Sequence, residues 1–227
     1  MTPRGQRGPE VAAVVFDLDG VLVDSEAAWG EIRERFTKDR GGSWRPEAVR
    51  EMQGMSSTEW SRYMHDRLAV PLPPEEISTT VAAEVANLYR RELPLLPGAV
   101  ESVSSLAQTW PLAVASSANR SLIDLVVELA GLEDAFAATV SSEEVERGKP
   151  APDVYLEAAR LLDVDPVACA AVEDSSNGIR SADAAGMLVV AIPNRDFPPD
   201  RSALDLADVV LDDLGELTPE RVRALRR

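Results

Sequence analysis

The chain has 227 residues, 45% of them hydrophobic, enough to bury a core as one large domain or one domain with a smaller insert. Its 39 acidic against 23 basic residues give a formal charge of −16, which argues against nucleic acid or an anionic membrane as partner. A small phosphorylated metabolite stays open, because one metal ion and one lysine can reverse a local field. The single cysteine, Cys169, rules out a disulfide within the chain and suits a reducing cytoplasm. Lying in VACAAVED, it reads as a small buried hydrophobe rather than a nucleophile.

In chain order, residues before Glu10 read as a flexible arm. The apolar run VAAVVF at 11–16 is too short for a signal-peptide core or a bilayer span and reads as a buried strand. Further short apolar runs occur at 112–115 (LAVA), 136–140 (FAATV), 168–172 (ACAAV), 188–192 (LVVAI) and 208–211 (DVVL). Helical spacing separates most of them, through Val100, Val103 and Leu106; Leu122, Leu125, Val126 and Leu129; and Val154, Tyr155, Ala158 and Leu162. Continuous apolar strands alternating with helices predict a doubly wound, Rossmann-like parallel α/β sheet.

The stretch 27–94 breaks that alternation. It holds no strand-like run but three helical patterns: Trp29, Ile32 and Phe36; Trp60, Tyr63 and Met64 behind a capping box at Ser56 and Glu59; and Ile77, Val81, Val85 and Leu88. It reads as a helical module inserted after the first strand, leaving residues 1–26 and 95–227 as the catalytic core domain. LPLLPGAV is the hinge-like return. The closing VRALRR reads as a frayed basic helix end.

In an open parallel sheet, ligands bind beyond the carboxyl ends of the strands. Asp17 and Asp19 follow the first predicted strand, Ser116 and Ser117 the second, and Glu173 and Asp174 the fourth. Lys149 lies on the loop after the third. Carboxylates, a hydroxyl and an ammonium at one edge make a site for a hard cation and a phosphate. Asp17 and Asp174 can ligate Mg²⁺, which takes oxygen donors. Asp17 can attack phosphorus and form an aspartyl-phosphate. Asp19 can protonate the leaving oxygen and then deprotonate water. Lys149 can balance the charge, and Ser116 can donate to a phosphoryl oxygen. Lys149 is one of two lysines, with Lys38, in an arginine-rich chain, which marks a need for a compact charge. His65, the only histidine, falls in the helical stretch and is expected at the surface.

VVFDLDGVLVDSE, LAVASSAN, ERGKPAPDVYLEAA and AVEDSSNGIRSADAAGM together resemble the haloacid dehalogenase superfamily of phosphatases and mutases. The resemblance implies that Asp17 is the nucleophile and a metal ligand, and that Asp19 is the acid/base with its carbonyl on the metal. It further implies that Ser116 and Lys149 hold phosphate, that Asp174 ligates Mg²⁺, and that Glu173 does so directly or through water. The helical insert resembles the small cap of the β-phosphoglucomutase, phosphoglycolate phosphatase and sugar-phosphate phosphatase subgroup, where a cap selects substrate. Ser117, Asn119, Glu26 and Gly54 are the candidate substrate contacts.

A monomeric phosphatase acting on a small sugar or polyol phosphate is the expected function. A phosphomutase is the alternative, but the family mutase has a cap histidine where this chain has Trp29. It also has a cap arginine where this chain has Ser57. A dehalogenase needs neither Asp19 nor a metal, and a phosphonate hydrolase wants a cap lysine that Lys38 is poorly placed to supply. A non-catalytic phosphorylatable module would order its acids differently and lack the insert.

Overall fold

The computed structural model describes residues 10–226, so the expected arm before Glu10 lies outside the described residues. Six strands form one sheet: β1 (Ala13–Phe16), β2 (Leu112–Ser116), β3 (Phe136–Ser141), β4 (Cys169–Glu173), β5 (Leu188–Ala191) and β6 (Val209–Val210). Their order is β3-β2-β1-β4-β5-β6 and every pairing is parallel. Each apolar run read as a strand is one.

The runs are continuous because both sheet faces are covered. Alternate residues serve opposite layers. Val14, Phe16, Val114, Val172 and Val190 pack under α5 (Ala99–Ala107) and α6 (Arg120–Ala130). Ala13, Val15, Ala113, Ala115, Cys169 and Ala171 face α7 (Asp153–Leu161) and α8 (Ser176–Ala184). The second face is mostly alanine, which lets those helices lie close. Cys169 is buried there, and burial pushes its thiol up to about 12, so it is a packing residue. In α6 Leu122, Leu125 and Val126 are buried as spaced, joined by Ile123 and Val127, while Leu129 departs from the pattern at 42% exposed.

Residues 26–91 form α1 (Glu26–Asp39), α2 (Ala48–Glu51), α3 (Ser57–Arg67) and α4 (Pro74–Arg91), with no strand. The one-turn α2 carries too little periodicity to read in the sequence. The capping box forms, with Ser56 N–H donating to Glu59 Oε2 at 2.8 Å. Trp29, Ile32, Phe36, Trp60, Met64, Ile77, Val81 and Val85 are buried as spaced, and Tyr89 is buried more deeply than the expected Leu88. His65 is exposed. The two connections to this module run side by side: Asp24 N–H donates to Pro94 O at 2.8 Å and Leu96 N–H to Leu22 O at 2.9 Å. After α9 (Arg201–Leu204), the final helix, α10 (Pro219–Ala224), stops inside VRALRR.

The chain starts in the middle of the sheet, winds to one side through β2 and β3, then returns to the other side of β1. The crevice between the carboxyl ends of β1 and β4 is therefore the topological switch point, where ligands of doubly wound sheets bind. Asp17 leaves β1 at that point, and Glu173 and Asp174 leave β4 beside it.

Candidate active site

Two glycines bring backbone against the acidic residues. Gly20 has φ +78°, and a Cβ there would lie 2.0 Å from Asp174 Oδ2. In the first turn of α8, a Cβ on Gly178 would lie 1.8 Å from Glu173 Oε1. Side chains at either position would displace a carboxylate.

Lys149 is the hub. Only 4% exposed, it places Nζ 2.8 Å from Asp17 Oδ1 and 2.6 Å from Glu173 Oε1. The Tyr155 ring lies 5.0 Å from Nζ, and its hydroxyl donates to Glu173 Oε1 at 2.8 Å. Glu173 Oε2 accepts from the backbone N–H groups of Asp174 (3.0 Å) and Ser175 (3.3 Å) and from the Ser175 hydroxyl. Both Glu173 oxygens are therefore occupied by protein donors, and its main contact in the site is Lys149.

Asp17, Glu173 and Asp174 each offer an oxygen within 4.8 Å of the others. Burial pushes Asp17 up to about 8, against the pull of Lys149 and with Glu173 and Asp19 adding. Burial, then Glu173 and Asp17, hold Asp174 well above the usual carboxylate range. Asp19 is raised as well, by burial, with Ser25, Trp29 and Arg33 opposing. For Lys149, burial favours loss of the proton, but Asp17 and Glu173 outweigh it and its pKa rises. Crowded acids with one lysine among them lack positive charge. An all-oxygen donor set of this kind fits a hard divalent cation, with Asp17 and Asp174 as its first ligands.

Above these groups lies a cavity of about 50 Å³, lined by Asp17, Asp19, Lys149 and Asp174 from the core and by Glu26, Trp29, Arg33, Gly54 and Trp60 from the helical module. Glu26 is pushed up to about 7 by burial, with Arg33 opposing. Ser117 lines the cavity, and its hydroxyl donates to Gly54 O at 3.4 Å, joining core and module. Gly54 turns there with φ +70°.

Two predicted residues lie behind this surface. Ser116 is fully buried at the end of β2, and its Oγ accepts from Ala118 N–H at 3.0 Å. It is not the N-cap of α6, a position taken by Asn119. Asn119 donates to Glu143 Oε1 at 2.7 Å and to Ser78 Oγ at 3.3 Å, tying α4 to the core rather than lining the cavity.

Three further residues, Tyr155, Glu143 and Arg33, belong to the site. Tyr155 was placed only in a helical pattern, yet a phenol in an Ala/Val stripe needs a partner for its hydroxyl. Glu143 also accepts from Ser57 Oγ at 2.8 Å and Arg120 N–H at 2.9 Å, contacts that no motif marks. Arg33 breaks the apolar stripe of Trp29, Ile32 and Phe36, and a charge on a buried face was the available signal.

A carboxylate pair at a switch point, bridged by a buried lysine and roofed by a helical module, makes a site suited to a hard cation and an anionic ligand. A family model for haloacid dehalogenase-like hydrolases matches residues 11–186, and the chain belongs to that family. Hexitol phosphatase B of Escherichia coli is 32% identical over 220 residues, 96% of each chain. CbbY from Rhodobacter sphaeroides, solved in complex with phosphate, superposes with a TM-score of 0.84 at 26% identity, over 95% of this chain and 100% of that one. The chain spans 55% of the length of a bifunctional riboflavin kinase/FMN phosphatase from Arabidopsis thaliana, which is 28% identical over 212 residues covering 92% of this chain. The described residues contain no helix long and apolar enough to cross a membrane.

Proposed function

We propose that the protein is a magnesium-dependent phosphatase that hydrolyses a small sugar or polyol phosphate through an aspartyl-phosphate on Asp17. The observation that carries this reading is Lys149 Nζ between Asp17 and Glu173, with Asp174 beside them at the floor of one cavity. Hexitol phosphatase B supports the substrate class and phosphate-bound CbbY the ligand.

Asp17 attacks phosphorus, the P–O bond to the alcohol breaks, and the alcohol oxygen takes a proton from Asp19. Asp19 then removes a proton from water as that water attacks the aspartyl-phosphate, releasing phosphate and restoring Asp17. The raised pKa of Asp19 suits it to begin as the acid. Lys149 balances phosphoryl charge, and Ser116, beneath the cavity surface at the end of β2, turns its hydroxyl to a phosphoryl oxygen once substrate is bound. When bound by Asp17, Asp174 and the Asp19 carbonyl, the metal supplies charge neutralisation between a carboxylate nucleophile and an anionic phosphate. Glu173 acts on it at most indirectly, through Lys149.

Residues 27–94 form the cap, and the rest of the described chain, 10–26 and 95–226, the core domain. The cap opens on the paired connections at 22–24 and 94–96 to admit substrate. Glu26, Gly54 and Ser117 contact substrate, while Asn119 steadies the closed cap. The charge of −16 and the lone buried cysteine support a cytoplasmic monomer acting on a metabolite rather than on nucleic acid. The mutase alternative gains nothing. Trp29 is packed edge-on against Trp60, and Ser57 is held by Glu143, so neither position offers the family mutase's histidine or arginine.

Two measurements test the reading. In a screen of phosphorylated metabolites with magnesium, phosphate release from sugar or polyol phosphates is expected. Glucose 1-phosphate isomerisation that outpaces phosphate release overturns it. The second is stability against pH. Asp17 has a folded pKa of about 8 against an ordinary value of 3.8. Over that window the metal-free folded chain keeps a proton that the unfolded chain has lost, so this contribution to stability falls as pH rises. In chelator, Tm is expected to drop between about pH 5 and pH 8, and added magnesium to raise it more at the higher pH. Asp17→Asn flattens both trends; slopes equal to wild type contradict the assignment.

A further inference from the structure

Arg33 is 7% exposed, and its Nε has no hydrogen-bond partner. Its side chain forms no ion pair among the described residues, although it lines the cavity that holds Asp17 and Lys149. Its guanidinium carbon sits 4.5 Å from the Trp29 ring centroid and 4.7 Å from that of Trp60. Those contacts fix its position through cation–π attraction but accept no N–H. Burying the Arg33 Nε–H without an acceptor is costly, and a group entering the cavity can supply one.

The surroundings narrow that group. Glu26, Trp29 and Arg33 are at i, i+3 and i+7 on α1, one face of a helix, and all three line the cavity. Glu26 and Asp19 line the cavity with carboxylates, while the Arg33 Nε–H needs an acceptor. A second anion would satisfy Arg33 but meet those carboxylates. A methylene satisfies neither. A hydroxyl accepts from Arg33 and donates to Glu26, and the indole rings beside it suit the C–H faces of a carbon chain.

We infer that Arg33 is the cap's specificity-determining residue, donating to a hydroxyl oxygen of a polyol or sugar phosphate while Glu26 accepts the hydrogen bond that hydroxyl donates. Resting on the phosphatase reading above, the inference names the part of the substrate that the cap selects. Trp29 and Trp60 are positioning residues for Arg33.

The test compares wild type, Arg33→Met and Arg33→Lys on a hexitol phosphate, an unsubstituted alkyl phosphate of equal chain length, and p-nitrophenyl phosphate, all with magnesium. Wild type is expected to favour the hexitol phosphate. Arg33→Met is expected to lower its kcat/KM for that substrate by roughly 10²–10³-fold and to change the other two by less than about threefold, with partial recovery in Arg33→Lys. The Tm of Arg33→Met is expected to match or exceed that of wild type, because a buried unpaired charge is gone. Equal losses on all three substrates, or no loss, overturn the inference. So does a loss confined to substrates with a second anionic group, run as an added arm. If Arg33→Met does not fold, a wild type that fails to prefer the hexitol phosphate over the alkyl phosphate overturns it. Wild-type hydrolysis of p-nitrophenyl phosphate without the Arg33 pattern removes this inference alone; no hydrolysis of any phosphate removes the phosphatase reading as well.

Discussion

Asp17→Asn is expected to abolish turnover, lowering kcat by roughly 10⁴-fold or more, while leaving the fold intact. An amide cannot attack phosphorus as a carboxylate does, and among the described residues Asp17 is the carboxylate that both meets Lys149, at 2.8 Å, and lines the cavity. The substitution is nearly isosteric, and the amide oxygen still accepts from Lys149. Because Asp17 is pushed up to about 8, the metal-free fold already favours the neutral form near neutral pH. In chelator the variant is therefore expected to melt no lower than wild type, and magnesium is expected to raise its Tm less. A variant that still hydrolyses a generic phosphomonoester with magnesium at more than a few per cent of the wild-type rate removes Asp17 as nucleophile. It also reopens the reading of the chain as a phosphorylatable module.

Lys149→Met is expected to damage both activity and stability. Activity should fall by roughly 10³-fold, because the charge that balances the carboxylates and the phosphoryl group is lost from a dry site. Stability should fall by about 3–5 kcal/mol, the usual cost of removing one partner of a buried ion pair. Asp17 and Glu173 then lie buried without the ammonium at 2.8 and 2.6 Å. Asp17 can escape by taking up a proton, so the loss is expected to be larger near pH 8 than near pH 5, read as ΔTm against wild type at each pH. Lys149→Arg is expected to rescue little. The slot leaves the side chain only 4% exposed, and a planar fork does not fit between two carboxylates that share a point charge. Full activity in Lys149→Arg, or a ΔTm independent of pH, contradicts this account.

The parts of the site legible in the sequence are those that follow from strand ends. A short continuous apolar run must be covered on both faces. A polar residue that ends it must therefore emerge at the sheet's edge. That reasoning located Asp17, Lys149, Glu173 and Asp174 on the right loops, and the insert was visible because its periodicity changes from strand to helix. It could not say which loops meet. Asn119 and Ser117 are two residues apart, yet Ser117 lines the cavity and Asn119 turns away to Glu143 and Ser78. Glu173 and Asp174 are adjacent, yet one is taken up by protein donors and the other faces the cavity.

Sequence alone thus determined the fold class, the acidic strand-end motif and the candidate nucleophile, since each depends on local pattern and on a parallel sheet having one ligand-binding edge. Only the tertiary structure decided the partners: Lys149 against Asp17 across 132 residues of chain, Tyr155 against Glu173, and Arg33 held between two indoles with its Nε unpaired. The physical reason is range. Apolar periodicity is written into neighbouring residues. A hydrogen bond or an unpaired charge is settled within a few ångströms, between segments that meet only once the chain has folded.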